Sequence, residues 1–177
     1  MRTITSERLV LRPWQVDDAD FLLDLESRWD VVRFLGAAPR TMTTRDEALA
    51  SIARRRTTSE HYVHGIWLIA DHDGTRLGNL LLKPIPLSGG EHPTPATEVE
   101  VGWHLHPDAR SHGYATEAAA AACTDAFARG LERVVAVTHP DNTASQAVCR
   151  RLGMRHLGTT ARYMDTTTEL FELLAPR

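Results

Sequence analysis

Lysine is almost absent from this chain: Lys83 is its only one, and arginine supplies the rest of the basic charge. That bias fits the Ala/Arg-rich usage of a high-GC genome and by itself signals no binding function. Cysteine is scarce too. Cys123 and Cys149 both fall in predicted helices and lack the CxxC or Cys/His spacing of a metal site, which leaves reduced core thiols and excludes a disulfide framework. No uninterrupted apolar run is long enough to span a bilayer, and the opening "MRTITSERLVLRPW" lacks the apolar stretch of a secretory signal, so a cytoplasmic protein is expected. Charge of one sign is lacking as well. A formal charge of -3 and a pI near 6.3 give no bulk attraction to nucleic acid or anionic membranes, and Arg54, Arg55 and Arg56 form only a local basic patch. There is no internal repeat, and no low-complexity tract beyond one alanine run that reads as helix. What remains is 177 residues, 42% hydrophobic and 24% charged, the size and composition of one domain over residues 1–177.

The pattern along the chain alternates between strand and helix signals. "ERLVLRPW" reads as a strand closed by Pro13. Asp17 or Asp18 can cap "DADFLLDLESRW", where Phe21, Leu22 and Leu25 form an apolar stripe. Thr44 and Glu47 have the spacing of a capping box, which predicts a helix ending near Arg56. "YVHGIWLIAD" and "RLGNLLLKP" are joined by "HDGT" in a predicted hairpin, and residues 84–96, rich in Pro and Gly, form a loop. "TEVEVGWHL" alternates strictly, placing Glu98, Glu100 and His104 on one face and Val99, Val101, Trp103 and Leu105 on the other. A helix follows from Ala115 to Arg129 with Gly130 at its stop. "RVVAVTH" reads as a strand buried on both faces, and Asp141 or Asn142 caps a helix ending before Gly153. Two strands close the chain, in "MRHLGTT" and "TELFELL".

The order strand, loop, helix, strand from residue 98 to 139 is a βαβ unit. Its crossover makes the two strands parallel and sets the helix start at their carboxyl ends, where open sheets bind ligands. A helix start presents unpaired N–H groups and partial positive charge, so the segment Arg110, Ser111, His112, Gly113, Tyr114, Ala115 and Thr116 suits a phosphate. Gly113 permits close backbone approach, and Arg110 adds a full charge. A nucleotide-binding P-loop does not fit, because its lysine and the GxGxxG pattern are missing.

"RSHGYA" resembles the R/Q-x-x-G-x-G/A pyrophosphate loop of the GNAT acetyltransferase superfamily, with Arg110, Gly113 and Ala115 at the defining positions. "SERLVLRPWQVDDADFLLDL" is similar to the opening of the branch containing the RimJ and RimL ribosomal-protein N-terminal alanine acetyltransferases. "EVGWHLHPDARSHGYATEA" resembles the central motif of that branch, and "NTASQAVCRRLGM" its N-x-x-S-x6-L-G-F segment. The resemblance implies an α/β (α+β) GNAT fold: a mixed, mostly antiparallel twisted sheet of about seven strands flanked by helices, with a central parallel βαβ unit. It implies acetyl-CoA as cosubstrate, no metal, an amine acceptor and an N-acetyltransferase acting by direct attack in a ternary complex; the sequence leaves monomer or homodimer open. Two departures stand out. Ser111 occupies a usual glycine position, and Cys149 stands where many of these enzymes carry the tyrosine that protonates the departing thiolate. A non-catalytic CoA-binding or regulatory module with the same fold is the alternative.

Acetyl transfer to an amine needs a deprotonated nucleophile, support for developing oxygen charge and a proton for the leaving sulfur. A substrate ammonium calls for a base, and a carboxylate acting directly or through water is the natural choice. Glu100 is the first candidate, Glu98 on the same face the alternate, and His104 a third because imidazole titrates near neutrality. If neighbouring strands part beyond Glu100, N–H groups of Trp103, His104 and Leu105 would bind the pantetheine amides and the thioester carbonyl, as the resemblance implies. It also makes Asn142 a ligand of the CoA arm, beside its plain role as a helix cap, and Ser145 a candidate to relay a proton to sulfur. The loop at 84–97 and the segment Arg28 to Met42, including Trp29 and Phe34, are expected to frame the acceptor entrance.

Overall fold

Alternating apolar residues in the first fifteen positions build the edge of a sheet, and the computed structural model describes residues 2–59, 61–90 and 98–176 of the chain that follows. A two-residue strand β1 (Ile4–Thr5) pairs antiparallel with β2 (Leu9–Pro13), which ends at its proline as expected. Helices α1 (Ala19–Ser27), α2 (Trp29–Val32) and α3 (Arg45–Thr58) come next, and then the antiparallel hairpin of β3 (Gly65–Asp71) and β4 (Arg76–Pro84). Strand β5 (Val99–Leu105) leads to α4 (Tyr114–Ala128) and to β6 (Arg133–Thr138), which is parallel to β5. Helix α5 (Thr143–Arg151), β7 (Arg155–Thr160) and β8 (Thr168–Leu174) complete the order. The eight strands form one sheet, β1-β2-β3-β4-β5-β6-β8-β7, antiparallel at every pair except β5–β6. This is the mixed, mostly antiparallel sheet with one central parallel pair that the resemblance implies. The sequence pattern anticipates seven of these strands. Ile4–Thr5 is too short to show alternation.

The two faces of the sheet follow from the period of two in its strands. Trp67 and Ile69 pack with Leu9, Leu11, Val99, Val101 and the alanine face of α4 (Ala118, Ala119, Ala122). Leu68 and Ala70 turn the other way, onto Trp14, Leu22, Ala48 and Ile52 under α1 and α3. Alanine on α4 lets that helix lie close to the strands. Even-numbered residues of β5 therefore face α1 and α3, which is the side where the cleft opens. The continuous apolar run of β6 is buried at Val134, Val135 and Ala136, as its composition predicts.

Local signals held at most ends. Gly130 (φ 92°) and Gly153 (φ 75°) follow α4 and α5 in the left-handed region, and Gly74 (φ 88°) turns the hairpin. Thr44 caps α3 by accepting from the Glu47 N–H at 3.2 Å, but the Glu47 carboxylate reaches back to the Thr43 N–H (2.8 Å), one residue before the expected reciprocal partner. Asp18 precedes α1 without capping it. Its carboxylate is buried and accepts from Arg12 (2.7 and 2.8 Å), Arg76 (2.7 Å) and the Gln15 N–H (2.8 Å), tying β2 to β4. Ion pairing under the helix start outcompetes the local cap. Cys123 and Cys149 are buried free thiols, and no described helix is long and apolar enough to cross a membrane.

Candidate active site

The parallel pair is a fork. β5 and β6 are in register only at Glu100 and Val135, although β5 runs on to Leu105 and β6 to Thr138. On its other side β5 is fully laddered to β4. The Glu98 C=O accepts from the Ile85 N–H (3.0 Å) and the His106 N–H donates to the Leu77 C=O (2.9 Å), so even-numbered residues direct their backbone groups to β4. The N–H groups of Trp103 and Leu105 consequently face the gap. The His104 N–H, expected beside them, faces Asn79 on β4, because alternation prevents three consecutive residues from donating to one side.

Behind the fork lies the start of α4. Gly113 occupies its N-cap position at φ 82° with no side-chain cap, so the first amides of the helix have no capping side chain. Ser111 also adopts a left-handed conformation, φ 68°, which explains the glycine usual at this position. Ser111→Gly is therefore expected to leave stability unchanged or raise it by up to about 1 kcal/mol, read by thermal unfolding. A drop of more than about 1 kcal/mol would mean that the serine hydroxyl holds the loop. Ala115 is buried at the helix entrance, and the exposed Thr116 side of that turn meets Arg151, whose Nε lies 3.3 Å from Thr116 Oγ1. Arg110 points away from the loop backbone and pairs with Asp30 of α2 at 2.7 Å, both partly exposed. His112 and Tyr114 stack on each other at 5.5 Å.

Arg8, which the sequence did not single out, clamps this loop. It donates to the His112 C=O (3.0 Å), pairs with Glu117 (2.7 Å) and lies over the Tyr114 ring. Arginine before a strand has no signature of its own, and its partners stand more than a hundred residues away.

The cleft, about 330 Å³, opens on the face of the sheet that carries Glu100, Gly102 and His104. Glu100 is 8% exposed, beside the fork, with Lys83 Nζ 3.4 Å away. Burial pushes its carboxyl above the ordinary range, and Lys83 offsets only part of that. Glu98 is a different case: it is held by Arg133 at 2.7 Å, by Arg162 at 3.3 Å and by the buried Tyr163 hydroxyl, and it does not line the cleft. The alternate base is thus committed to a structural ion network.

The opposite wall comes from α1 and α3, through Glu26 and Arg55, with Asn79 of β4 between them. None of the three was a sequence candidate. Their spacing along the chain carries no motif, and only the packing of α1 and α3 on the sheet brings them together. Phe34 closes the mouth, stacked on His139 at 5.1 Å, whereas Trp29, expected with it, is 56% exposed and away from the cleft. Residues 91–97 of the expected entrance loop lie outside the described residues.

At the β6 side, Asn142 caps α5 by accepting from the Ser145 N–H at 3.2 Å, and both residues line the cleft. Thr138, at the tip of β6, has a buried hydroxyl with no partner among the described residues. Cys149 sits one helical turn below Ser145, fully buried, its thiol pushed by burial up to about 12. It stays protonated and enclosed, so it does not replace an acidic tyrosine.

A sheet split at its one parallel pair, with an uncapped helix start behind the split, is the framework of an acetyltransferase. The chain belongs to the GNAT acetyltransferase family: residues 8–155 match the family described as "Acetyltransferase (GNAT) domain". An uncharacterized N-acetyltransferase of Bacillus subtilis, YnaD, is 27% identical over 156 residues, covering 88% of this chain and 84% of that protein. Among solved structures, a GNAT-family acetyltransferase from Bacillus anthracis matches with a TM-score of 0.79 at 20% identity, covering 98% of this chain and 99% of that one. RimL, a ribosomal L7/L12 α-N-protein acetyltransferase in complex with coenzyme A, matches with a TM-score of 0.78 at 20% identity, covering 98% of each.

Proposed function

We propose that residues 1–177 act as one cytoplasmic domain that moves an acetyl group from acetyl-CoA to a primary amine by direct attack in a ternary complex. The observation that carries this reading is the fork: backbone N–H groups of Trp103 and Leu105 line a path from the α4 start to the buried Glu100. The residues present fit a CoA arm. The helix start lacks a capping side chain, the fork lacks strand partners, and the Thr138 hydroxyl at its edge is unpaired among the described residues. In this reading Arg110, Ser111, His112, Gly113, Tyr114, Ala115 and Thr116 hold the pyrophosphate, while Trp103, Leu105, Asn142 and Ser145 hold the pantetheine. His104 lines the cleft on the acceptor side. Acetyl-CoA supplies the activated acetyl group.

The chain's own groups do the rest. Glu100, raised by burial and sitting where the fork closes, takes a proton from the attacking amine. Ser145 orients or relays a proton toward sulfur, since a hydroxyl is too weak an acid to act alone. The acceptor is a protein N-terminus, peptide or small amine, and the likeness to RimL makes ribosomal-protein N-termini the first to try.

Calorimetry with coenzyme A tests binding, and thiol release from acetyl-CoA with a panel of amines and short peptides tests turnover. Heat of binding without thiol release across the panel would leave the non-catalytic module as the better reading, and no heat would sink both. Arg110→Ala is expected to weaken CoA binding by about 1.5–3 kcal/mol, because its exposed pair with Asp30 is weak and leaves it able to turn onto a phosphate. An unaltered dissociation constant would leave Arg110 as a surface partner of α2.

A further inference from the structure

Five side chains from separate parts of the chain form one hydrogen-bonded series that runs from the buried Trp14 to the cleft wall. Trp14 Nε1 and Arg55 Nη1 both donate to Asn79 Oδ1, at 3.0 and 2.9 Å. Arg55 Nη2 donates to Glu26 Oε1 at 2.5 Å, and His104 Nε2 lies 3.1 Å from that same oxygen. Burial alone would raise the Glu26 carboxyl, but the His104 hydrogen bond and the Arg55 charge hold it at about 2. At that value Glu26 is ionised and can only accept, so the proton of the pair sits on His104 Nε2. A ring with that single proton carries its basic lone pair on Nδ1.

Gly102 separates His104 from Glu100 on the same face of β5, each about 6.6 Å away along the strand. With no side chain there, the strand leaves a seat between the two groups. A Cβ added at Gly102 would stand 3.3 Å from the Leu81 side chain, so Leu81 forms one side of that seat and an alanine there would press against it.

Resting on the reading that this cleft takes an amine, we propose that Glu26 is a positioning residue that fixes His104 as the Nε2–H tautomer, and that His104 Nδ1 deprotonates an acceptor ammonium seated over Gly102. In this step one ammonium N–H bond breaks and the Nδ1–H bond forms. The electron pair stays on the acceptor nitrogen, and the proton leaves the imidazolium for water through the open cleft. Glu100, on the other side of the seat, takes the second proton, released as the amine attacks. Glu26 from α1 touches the imidazole, and the other charged and titratable groups lining the cleft with it are Arg55 from α3, Lys83 from β4, Glu100 from its own strand and His139 beyond β6.

The first test needs no acceptor. In 15N-histidine-labelled protein with CoA bound at pH 8, the His104 ring is expected as the Nε2–H tautomer, and in Glu26→Gln as a mixture of both tautomers. A wild-type ring carrying its proton on Nδ1 would overturn the proposal. The second test is the separate measurement of kcat and KM with acetyl-CoA and a short peptide bearing a free N-terminal alanine, or, if that peptide is inert, the amine that releases thiol in the panel above. Glu26→Gln is expected to lower kcat by tenfold or more with the KM for acetyl-CoA within about twofold, since without the carboxylate the ring spends part of its time with Nδ1 carrying the proton. Glu26→Asp, keeping the charge, is expected to restore much of the rate. Gly102→Ala fills the seat and is expected to raise the acceptor KM without changing CoA affinity. Turnover of Glu26→Gln at the wild-type kcat would refute the role of Glu26 while leaving the transferase reading intact. Absence of turnover with any amine would remove that reading and the proposal with it.

Discussion

Glu100→Gln is expected to lower kcat by on the order of 10²- to 10⁴-fold while leaving CoA binding in place. The residue stands where β5 and β6 last pair, and its carboxyl is raised by burial, which brings its proton affinity closer to the working pH. Because the base must be deprotonated, the acid limb of the wild-type profile should lie above the ordinary glutamate range and lose its Glu100 component in the variant. Stability is expected to move the other way. A carboxyl whose folded pKa is raised favours folding below its unfolded pKa, and that contribution is lost as pH rises through the folded value. Wherever the wild-type carboxyl is ionised, its charge is desolvated, a cost that the amide removes. The thermal midpoint of Glu100→Gln should thus be no lower than wild type, unless the contact with Lys83 outweighs the desolvation. A variant that loses activity together with its fold would not support a catalytic role, and unchanged turnover across pH would remove Glu100 from the mechanism.

Asp18→Asn is expected to be among the most destabilising single substitutions outside the apolar core. Its carboxylate is fully buried and takes four hydrogen bonds from Arg12, Arg76 and the Gln15 N–H. Breaking a buried pair by removing one charge costs roughly 3–5 kcal/mol, and partial exposure of both arginines places this case at about 3. For a chain of this size that is a fall of roughly 6–12 °C in Tm. The pH dependence is distinctive. Burial works against the Asp18 carboxylate, but the bonds from Arg12, Arg76 and Gln15 outweigh it and hold the group below its ordinary value. Such a group stabilises the fold above its unfolded pKa, near 4, and that contribution is lost as pH falls through the depressed folded value. Wild type should lose stability across that acid window, and Asp18→Asn should lack this part of the slope. Equal midpoints at pH 7 would mean that the arginines are as well satisfied by water.

Much of the element order was legible because its signals are local. The strict alternation of residues 98–105 separated the cleft face from the α4 face, and Gly130 and Gly153 marked helix ends through the backbone conformation each requires. The loop before α4 was legible for the same reason, as a helix start that lacks a side-chain cap announces itself in the residues beside it. Asp18 was misread as a cap because the arginines that claim it, Arg12 and Arg76, act across the sheet. Glu98 and Glu100 were indistinguishable by pattern, two residues apart on one face of one strand. Their surroundings separated them, since Arg133, Arg162 and Tyr163 converge on the first and an open cleft on the second.

The sequence by itself determined where chain direction changes, which faces are apolar and where a helix begins with exposed amides, because these depend on backbone sterics and on side-chain period over a few residues. Tertiary structure alone decided that β8 inserts between β6 and β7, that β5 and β6 part after one paired position, and that Glu26, Arg55, Asn79 and His104 meet on one wall. Those outcomes arise from contacts between residues far apart in the chain. Their energies depend on burial and charge at close range, which no local pattern records.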